Sequence, residues 1–215
     1  MQIVSNGILI SMYPFSERDM VARVFTKDVG VLVGMLRGAV VAKKNKPLVG
    51  QYGNVSWNAR LDSQLGVFHW ESEKNLSVPL MLKSDLLKIM NSAFALIYTL
   101  IPEREPYSNL YDRTLQLLQD LPNTDSQKDL YLKWEIGLLG DLGYALDLTK
   151  CSGCGKTDDL FYISPKTGRA VCANCGAPYD DKLYKLPLSL AVSGQFLRNV
   201  CAMQGVDVPM ARKIL

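Results

Sequence analysis

The sequence predicts an α+β chain: a small β-barrel, then an α-helical domain that carries a four-cysteine element. Three observations predict this. The hydrophobic period is near two over residues 1–79 and turns towards 3.6 after Pro79. Cys-x-x-Cys occurs at Cys151/Cys154 and again at Cys172/Cys175, with 17 residues between the pairs. The first 60 residues carry eight Lys/Arg against three acids, a local net charge of +5 in a chain whose total is only +3.

Short apolar or alternating runs at residues 3–13, 20–25 and 29–36 read as strands, separated by turn material at Pro14-Phe15-Ser16 and Lys27-Asp28. Val55, Trp57, Ala59 and Leu61 alternate with polar residues, and residues 65–70 form a further run after a turn at 62–64. Five strands in under 80 residues suit an OB-type barrel; an SH3-like barrel remains open at this stage. The connection at residues 39–47, with Lys43-Lys44-Asn45-Lys46, is expected to be a mobile basic loop. His69 is expected to be a partly buried strand residue.

The change of period places a domain boundary near residue 80, giving a barrel domain at 1–79 and a helical domain at 80–215. Ser84 is expected to cap a helix running to Ile101, stopped by Pro102. A second helix is framed by Pro106-Tyr107-Ser108 and Leu121-Pro122. A third opens at Ser126, with Leu130, Trp134, Leu138 and Leu142 as its apolar stripe and Gly143 at its end. A fourth spans residues 189–203 and includes Cys201, whose expected role is packing. A last helix is expected to begin within residues 209–215.

The cysteines carry the strongest signal. Two-residue gaps let one tight turn present both sulfurs to a single metal, so Cys151, Cys154, Cys172 and Cys175 are the expected ligands of one structural Zn²⁺. Four thiolates fill a tetrahedral shell and leave no open position for water, which points to a staple and not a reaction centre. The zinc-binding insertion is expected over residues 147–181, with a hairpin turning at Pro165-Lys166-Thr167-Gly168. Disulfides or a redox pair are the competing readings of the same cysteines. Met1 and the residues after it lack the basic start and long apolar core of a signal peptide, so a cytoplasmic protein is expected, where disulfides are rare. His69-Trp70-Glu71 matches half of the zinc nucleobase deaminase signature, but no proline precedes Cys151 and the second cysteine pair would be left idle.

No Walker loop, dinucleotide fingerprint or nucleophile elbow is present in the sequence, and no apolar stretch is long enough to span a bilayer. The physical reading is a non-enzymatic nucleic-acid binder with a basic barrel face. Arg18, Arg23, Arg37, Lys43, Lys44 and Lys46 are the expected phosphate contacts, and Tyr13 or Trp57 is a possible stacking surface. A zinc-stapled OB-fold RNA-binding protein of transcription or translation is the alternative.

Several local patterns together resemble the bacterial RecO family of recombination mediators. They begin with Gly7-Ile8-Leu9, Tyr13 and Ser16-Glu17-Arg18-Asp19, then Val24-Phe25-Thr26-Lys27-Asp28-Val29-Gly30 and Leu36-Arg37-Gly38-Ala39. They resume at Pro102-Glu103-Arg104-Glu105-Pro106, at Trp134-Glu135-Ile136-Gly137-Leu138-Leu139-Gly140-Asp141-Leu142-Gly143-Tyr144, and at Asp147-Leu148-Thr149-Lys150-Cys151. The resemblance implies an N-terminal OB-fold, a helical C-terminal domain and a zinc element within it. It also implies a role in DNA repair and recombination through the RecF pathway, in a cytoplasmic, nucleoid-associated protein. The implied partners are single- and double-stranded DNA, RecR and, indirectly, RecA. The implied activity is annealing of complementary strands coated by single-strand-binding protein. Capture of that protein's acidic C-terminal tail would need an apolar groove beside a cation, for which Lys133, next to Trp134, is the candidate.

Overall fold

A computed structural model describes residues 1–61 and 64–215. The expected turn at residues 62–64 falls on Asp62 and Ser63, which lie outside the described residues.

Five strands form a closed barrel in the order β1-β2-β3-β5-β4. They are β1 (Gln2–Pro14), β2 (Met20–Thr26), β3 (Gly30–Leu36), β4 (Gln51–Asn58) and β5 (Gly66–Asn75). β1 is long enough to serve two neighbours. Its later residues pair with β2 and its earlier ones with β4, and Gly7 and Ile8 belong to both ladders. A bulge between Leu9 and Ser11 bends the strand so that it can leave one ladder for the other. Parallel pairing of β3 with β5, through Gly34↔Gly66 and Leu36↔Phe68, closes the sheet. This is the OB arrangement, which excludes the SH3-like alternative.

Alternation along β4 carries the core out of the sequence pattern: Val55 and Trp57 point inward, while Asn54 and Ser56 are half-exposed. They meet Leu9, Val24, Leu32 and Phe68 in the barrel interior. Each such fully buried apolar side chain contributes roughly 1.5–3 kcal/mol. Trp57 is wholly buried, its Nε1–H donates to Val33 O at 2.8 Å, and the Arg104 guanidinium covers its ring at 4.5 Å. It is therefore a core residue and offers no stacking surface.

Packing divides the chain into two compact units, Met1–Gln127 with Pro209–Leu215, and Lys128–Val208. Helices α1 (Ser84–Leu100) and α2 (Ser108–Asp120) thus belong by packing with the barrel. On α1 the buried residues Leu86, Ile89, Met90, Ala93, Ile97 and Leu100 recur at helical spacing. Ser84 is the first helical residue and makes no cap; Lys83 holds the N-cap position without a side-chain bond.

The second unit contains most of α3 (Gln127–Asp141), a hairpin of β6 (Leu160–Ile163) and β7 (Ala170–Cys172), the short helix α4 (Ala173–Gly176), β8 (Tyr184–Lys185) and α5 (Leu190–Met203). The expected stripe on α3 is rotated. Tyr131, Trp134, Glu135, Leu138 and Leu139 are buried, whereas Leu130 and Leu142 are only half-buried. Tyr131 stacks on Trp134 with centroids 5.6 Å apart, which turns the aromatic side of the helix inward. Ser189 caps α5 by accepting Val192 N–H at 3.4 Å, and Cys201 is buried in its apolar face. The chain ends in α6 (Met210–Lys213), which packs on α1. Among the described residues no helix is long and apolar enough to cross a membrane.

Candidate metal centre and basic face

Four thiols converge in the second unit. The sulfurs of Cys151, Cys154, Cys172 and Cys175 all lie within 4.8 Å of one another, and Cys154 Sγ is 3.7 Å from Cys172 Sγ. None is oxidised. A tetrahedral site with metal–sulfur bonds near 2.3 Å requires sulfurs about 3.8 Å apart, whereas a disulfide requires about 2.05 Å. The donor set therefore fits a four-thiolate metal site. Neither His69 nor Glu71 belongs to it.

Local structure explains the convergence. Cys151 N–H donates to Lys156 O and Gly155 N–H to Cys151 O, which closes the first knuckle; Gly155 takes φ +79°, a conformation strained for any residue with a Cβ. The second knuckle runs from the end of β7 into α4, where Gly176 lies so close to the Tyr162 ring that any side chain would collide with it. The Tyr162 hydroxyl donates to Asp180 Oδ1 at 3.0 Å, and Lys185 Nζ meets the same oxygen at 3.3 Å. These contacts hold the Asp180 carboxyl below its usual range. The element's own core is small: Cys151, Tyr162, Val171 and Cys172 are buried, with Leu160 and Leu183 packed against them. Two of the four candidate ligands are thus a large part of that core, so a metal bound there would supply folding energy to the segment.

The thiols are electrostatically unequal. Backbone N–H groups of Cys172 and Cys154, with a third from Gly153 at 3.4 Å, pull the Cys151 thiol down to about 6. Cys175 is pushed up to about 12 because its proton is shared with the sulfurs of Cys172 and Cys154. One sulfur is poised as a thiolate and another as a donor to its neighbours.

On the barrel, Arg18, Arg37, Lys43, Lys44 and Lys46 are all exposed. The segment that carries the last four is fastened at both ends. At its start Gly38 N–H donates to Asp19 Oδ1 at 2.8 Å and Val40 N–H to Arg18 O at 3.0 Å, which sets Arg18 beside Arg37. At its end the buried Gln51 accepts Leu48 N–H at 3.1 Å through Oε1 and donates through Nε2 to Lys46 O at 3.5 Å. The basic connection is fastened to the barrel at its two ends, with Lys43 and Lys44 between them, and forms a strap.

Arg23 differs from the other five. Its side chain is 19% exposed, its Nη2 lies 3.5 Å from Glu103 Oε1, and its guanidinium sits 4.0 Å over the Tyr98 ring. The structure commits it to contacts between β2 and the first helix, because its register position on β2 faces α1.

Two family models match the chain: recombination protein O N terminal over residues 1–71, and recombination protein O C terminal over residues 84–202. The chain belongs to the RecO family. Among its relatives, the DNA repair protein RecO of Rhizobium rhizogenes is 33% identical, over 99% of this chain and 89% of the relative. That of Rhodospirillum centenum is 34% identical, over 99% and 92%. That of a Ruegeria species is 37% identical, over 84% and 76%.

Other positions read from the sequence fall as follows in this RecO-family fold. Lys133 is exposed on α3, but Trp134 beside it is buried and offers no open apolar wall. His69 lies on β5 and is exposed, 3.1 Å from Glu71, where a partly buried residue is expected. Tyr13 is exposed near the end of β1. Sequence reasoning passes over Phe15, which is 59% exposed in the β1–β2 turn, because it sits within turn material where no apolar period marks it. It also passes over Gln51, whose burial depends on partners in another strand and in the strap.

Proposed function

We propose that the protein is a non-enzymatic recombination mediator in DNA repair, binding single- and double-stranded DNA through the barrel. The observation that carries this is the strap fastened at both ends, which presents Arg37, Lys43, Lys44 and Lys46 as exposed cations together with Arg18 of the β1–β2 turn, on an OB barrel in a RecO-family chain. Exposed cations neutralise phosphates and release counterions, so binding is strongly salt-dependent and nearly indifferent to sequence. Neutralising two strands at once lowers their mutual repulsion and favours annealing, including of strands coated by single-strand-binding protein. Arg23 is left out of this face because Glu103 and Tyr98 occupy it.

The four cysteines hold one structural Zn²⁺, which supplies no reaction step. By family, the partners are RecR, the C-terminal tail of single-strand-binding protein and, through them, RecA. Lys133 is exposed and is proposed as a charge contact alone for the carboxylates of that tail, since the buried Trp134 gives it no apolar groove. The test is the affinity for a single strand of the intact protein and of a Lys43→Glu/Lys44→Glu/Lys46→Glu variant across a salt series. The reading requires weaker binding and a shallower salt slope in the variant; an unchanged slope contradicts it.

A further inference from the structure

On one of its sides β5 outruns its partner. β3 pairs with it only at Gly66, Val67 and Phe68, whereas β4 follows it to Asn75. The cause lies just after β3, where Gly38 takes φ +67° and the chain is drawn towards the β1–β2 turn by the bonds from Gly38 N–H to Asp19 Oδ1 and from Val40 N–H to Arg18 O. β2 borders β3 on the edge opposite to β5, so the start of the strap leads away from β5. Beyond Phe68 that edge of β5 has no ladder partner, and among the described residues no backbone bond from elsewhere reaches residues 70–74.

A cleft of about 440 Å³ marks the position that β3 leaves, and its lining includes Arg37, Gly38, Ala42, Asn45, His69 and Trp70. His69 is paired to Ser56 and Trp70 to Val55, so their side chains leave β5 on opposite faces, His69 into solvent and Trp70 against the barrel core. A cleft that touches both runs along the edge of the strand and over neither face. What it offers first is therefore main chain, a row of N–H and C=O groups. Residues 71–74 beyond it are exposed. The charges along this edge are ordered: Arg37 stands at the Phe68 end, and further along Glu71 shares the outer face of β5 with His69, whose Nε2 is 3.1 Å from Glu71 Oε1.

We propose that the edge of β5 at residues 70–74 takes up an extended segment of a partner protein as an added strand, in the position that β3 leaves. In such an addition the main-chain bonds give affinity and the side chains give choice. A side chain of the added strand directly opposite Glu71 lies within reach of its carboxylate, so lysine or arginine is favoured there, with aspartate or glutamate two residues away at the Arg37 end. Five residues of edge span about 17 Å, which suits a short linear segment. A second copy of the chain fits less well, because stable interfaces bury roughly 1,200–2,000 Å² in total and the junction would set two straps of like charge side by side. Glu71, Glu73 and Lys74 also guard the edge against indiscriminate pairing.

The experiment uses the full chain and an end-blocked ten-residue peptide of alternating threonine and valine, in which lysine and glutamate replace two threonines two residues apart, made in both orders. At about 1 mM peptide, one order should slow amide hydrogen exchange at residues 70–74. N-methylating one alternate set of that peptide's amides should weaken it at least about tenfold, the loss of two main-chain bonds, while methylating the other set is tolerated. Exchanging its lysine for glutamate should weaken binding to the intact protein and tighten binding to a Glu71→Lys variant, which keeps the fold because Glu71 is exposed. No protection of residues 70–74 by either order, equal effects of the two methylated sets, or an unchanged preference for lysine in Glu71→Lys would overturn the proposal. So would protection of the same amides without peptide that grows with protein concentration, which would assign the edge to a second copy. Protection by an oligothymidylate and not by peptide would overturn it too, and assign the edge to nucleic acid.

Discussion

Asp19 Oδ1 accepts the backbone N–H of Gly38 at 2.8 Å, and through this bond the β1–β2 turn carries the start of the basic strap. The partners are 19 residues apart, so the bond closes a loop that the backbone alone would leave open. Asp19→Ala should cost about 1–2 kcal/mol of stability in denaturant unfolding, since an ionised acceptor is lost. Asp19→Asn retains an acceptor and should cost less. Equal losses would mean that the charge, and not the bond, matters.

Arg23 and Arg37 should separate cleanly. Arg23→Ala removes a stacked, ion-paired guanidinium and is expected to lower stability by about 1 kcal/mol, the gain being limited because Arg23 Nε is buried without a partner. DNA affinity should barely move. Arg37→Ala should leave the melting temperature in place and flatten the salt dependence by about 0.7, one single-strand phosphate contact.

Gly176→Val places a side chain against the Tyr162 ring and pushes Cys175 out of the cluster. The variant should retain less metal after dialysis and show faster tryptic cleavage at Lys166 and Arg169. Its affinity for DNA should stay within about twofold, because the barrel folds around its own core.

Acid should weaken metal binding. The ligands bind as thiolates, and Cys175, held up at about 12, must shed its proton to do so, while Cys151, at about 6, is already ionised at neutral pH. Metal uptake at pH 7 therefore releases protons, and affinity falls as pH drops, most steeply below about 6 once Cys151 also protonates. Titrations in buffers of different ionisation enthalpy measure that release; none would contradict the thiol assignments.

What the sequence makes legible is local. Cys-x-x-Cys spacing marks the candidate metal site because chelation depends on neighbours in the chain, and alternation through Val55 and Trp57 fixes the inner face of β4. What it hides depends on distant partners. Residues 71–75 are polar and, but for the half-buried Asn75, exposed, yet they extend β5, because β4 supplies the ladder partners Asn54, Gly53, Tyr52 and Gln51. The strap is rich in lysine and lacks apolar period, so it reads as loose; Asp19 and Gln51 fasten it with bonds that no local pattern announces. Arg23 counts as one more cation until Tyr98 and Glu103 are brought beside it.

The central claim, that the pinned cations of the barrel bring two nucleic-acid strands together, is tested most directly by annealing complementary strands precoated with single-strand-binding protein, at two salt concentrations. The intact protein should anneal them, more slowly at the higher salt, and Lys43→Glu/Lys44→Glu/Lys46→Glu should abolish the effect while its metal content stays unchanged. Annealing by the variant at the rate of the intact protein, or none by the intact protein at either salt, would contradict the account.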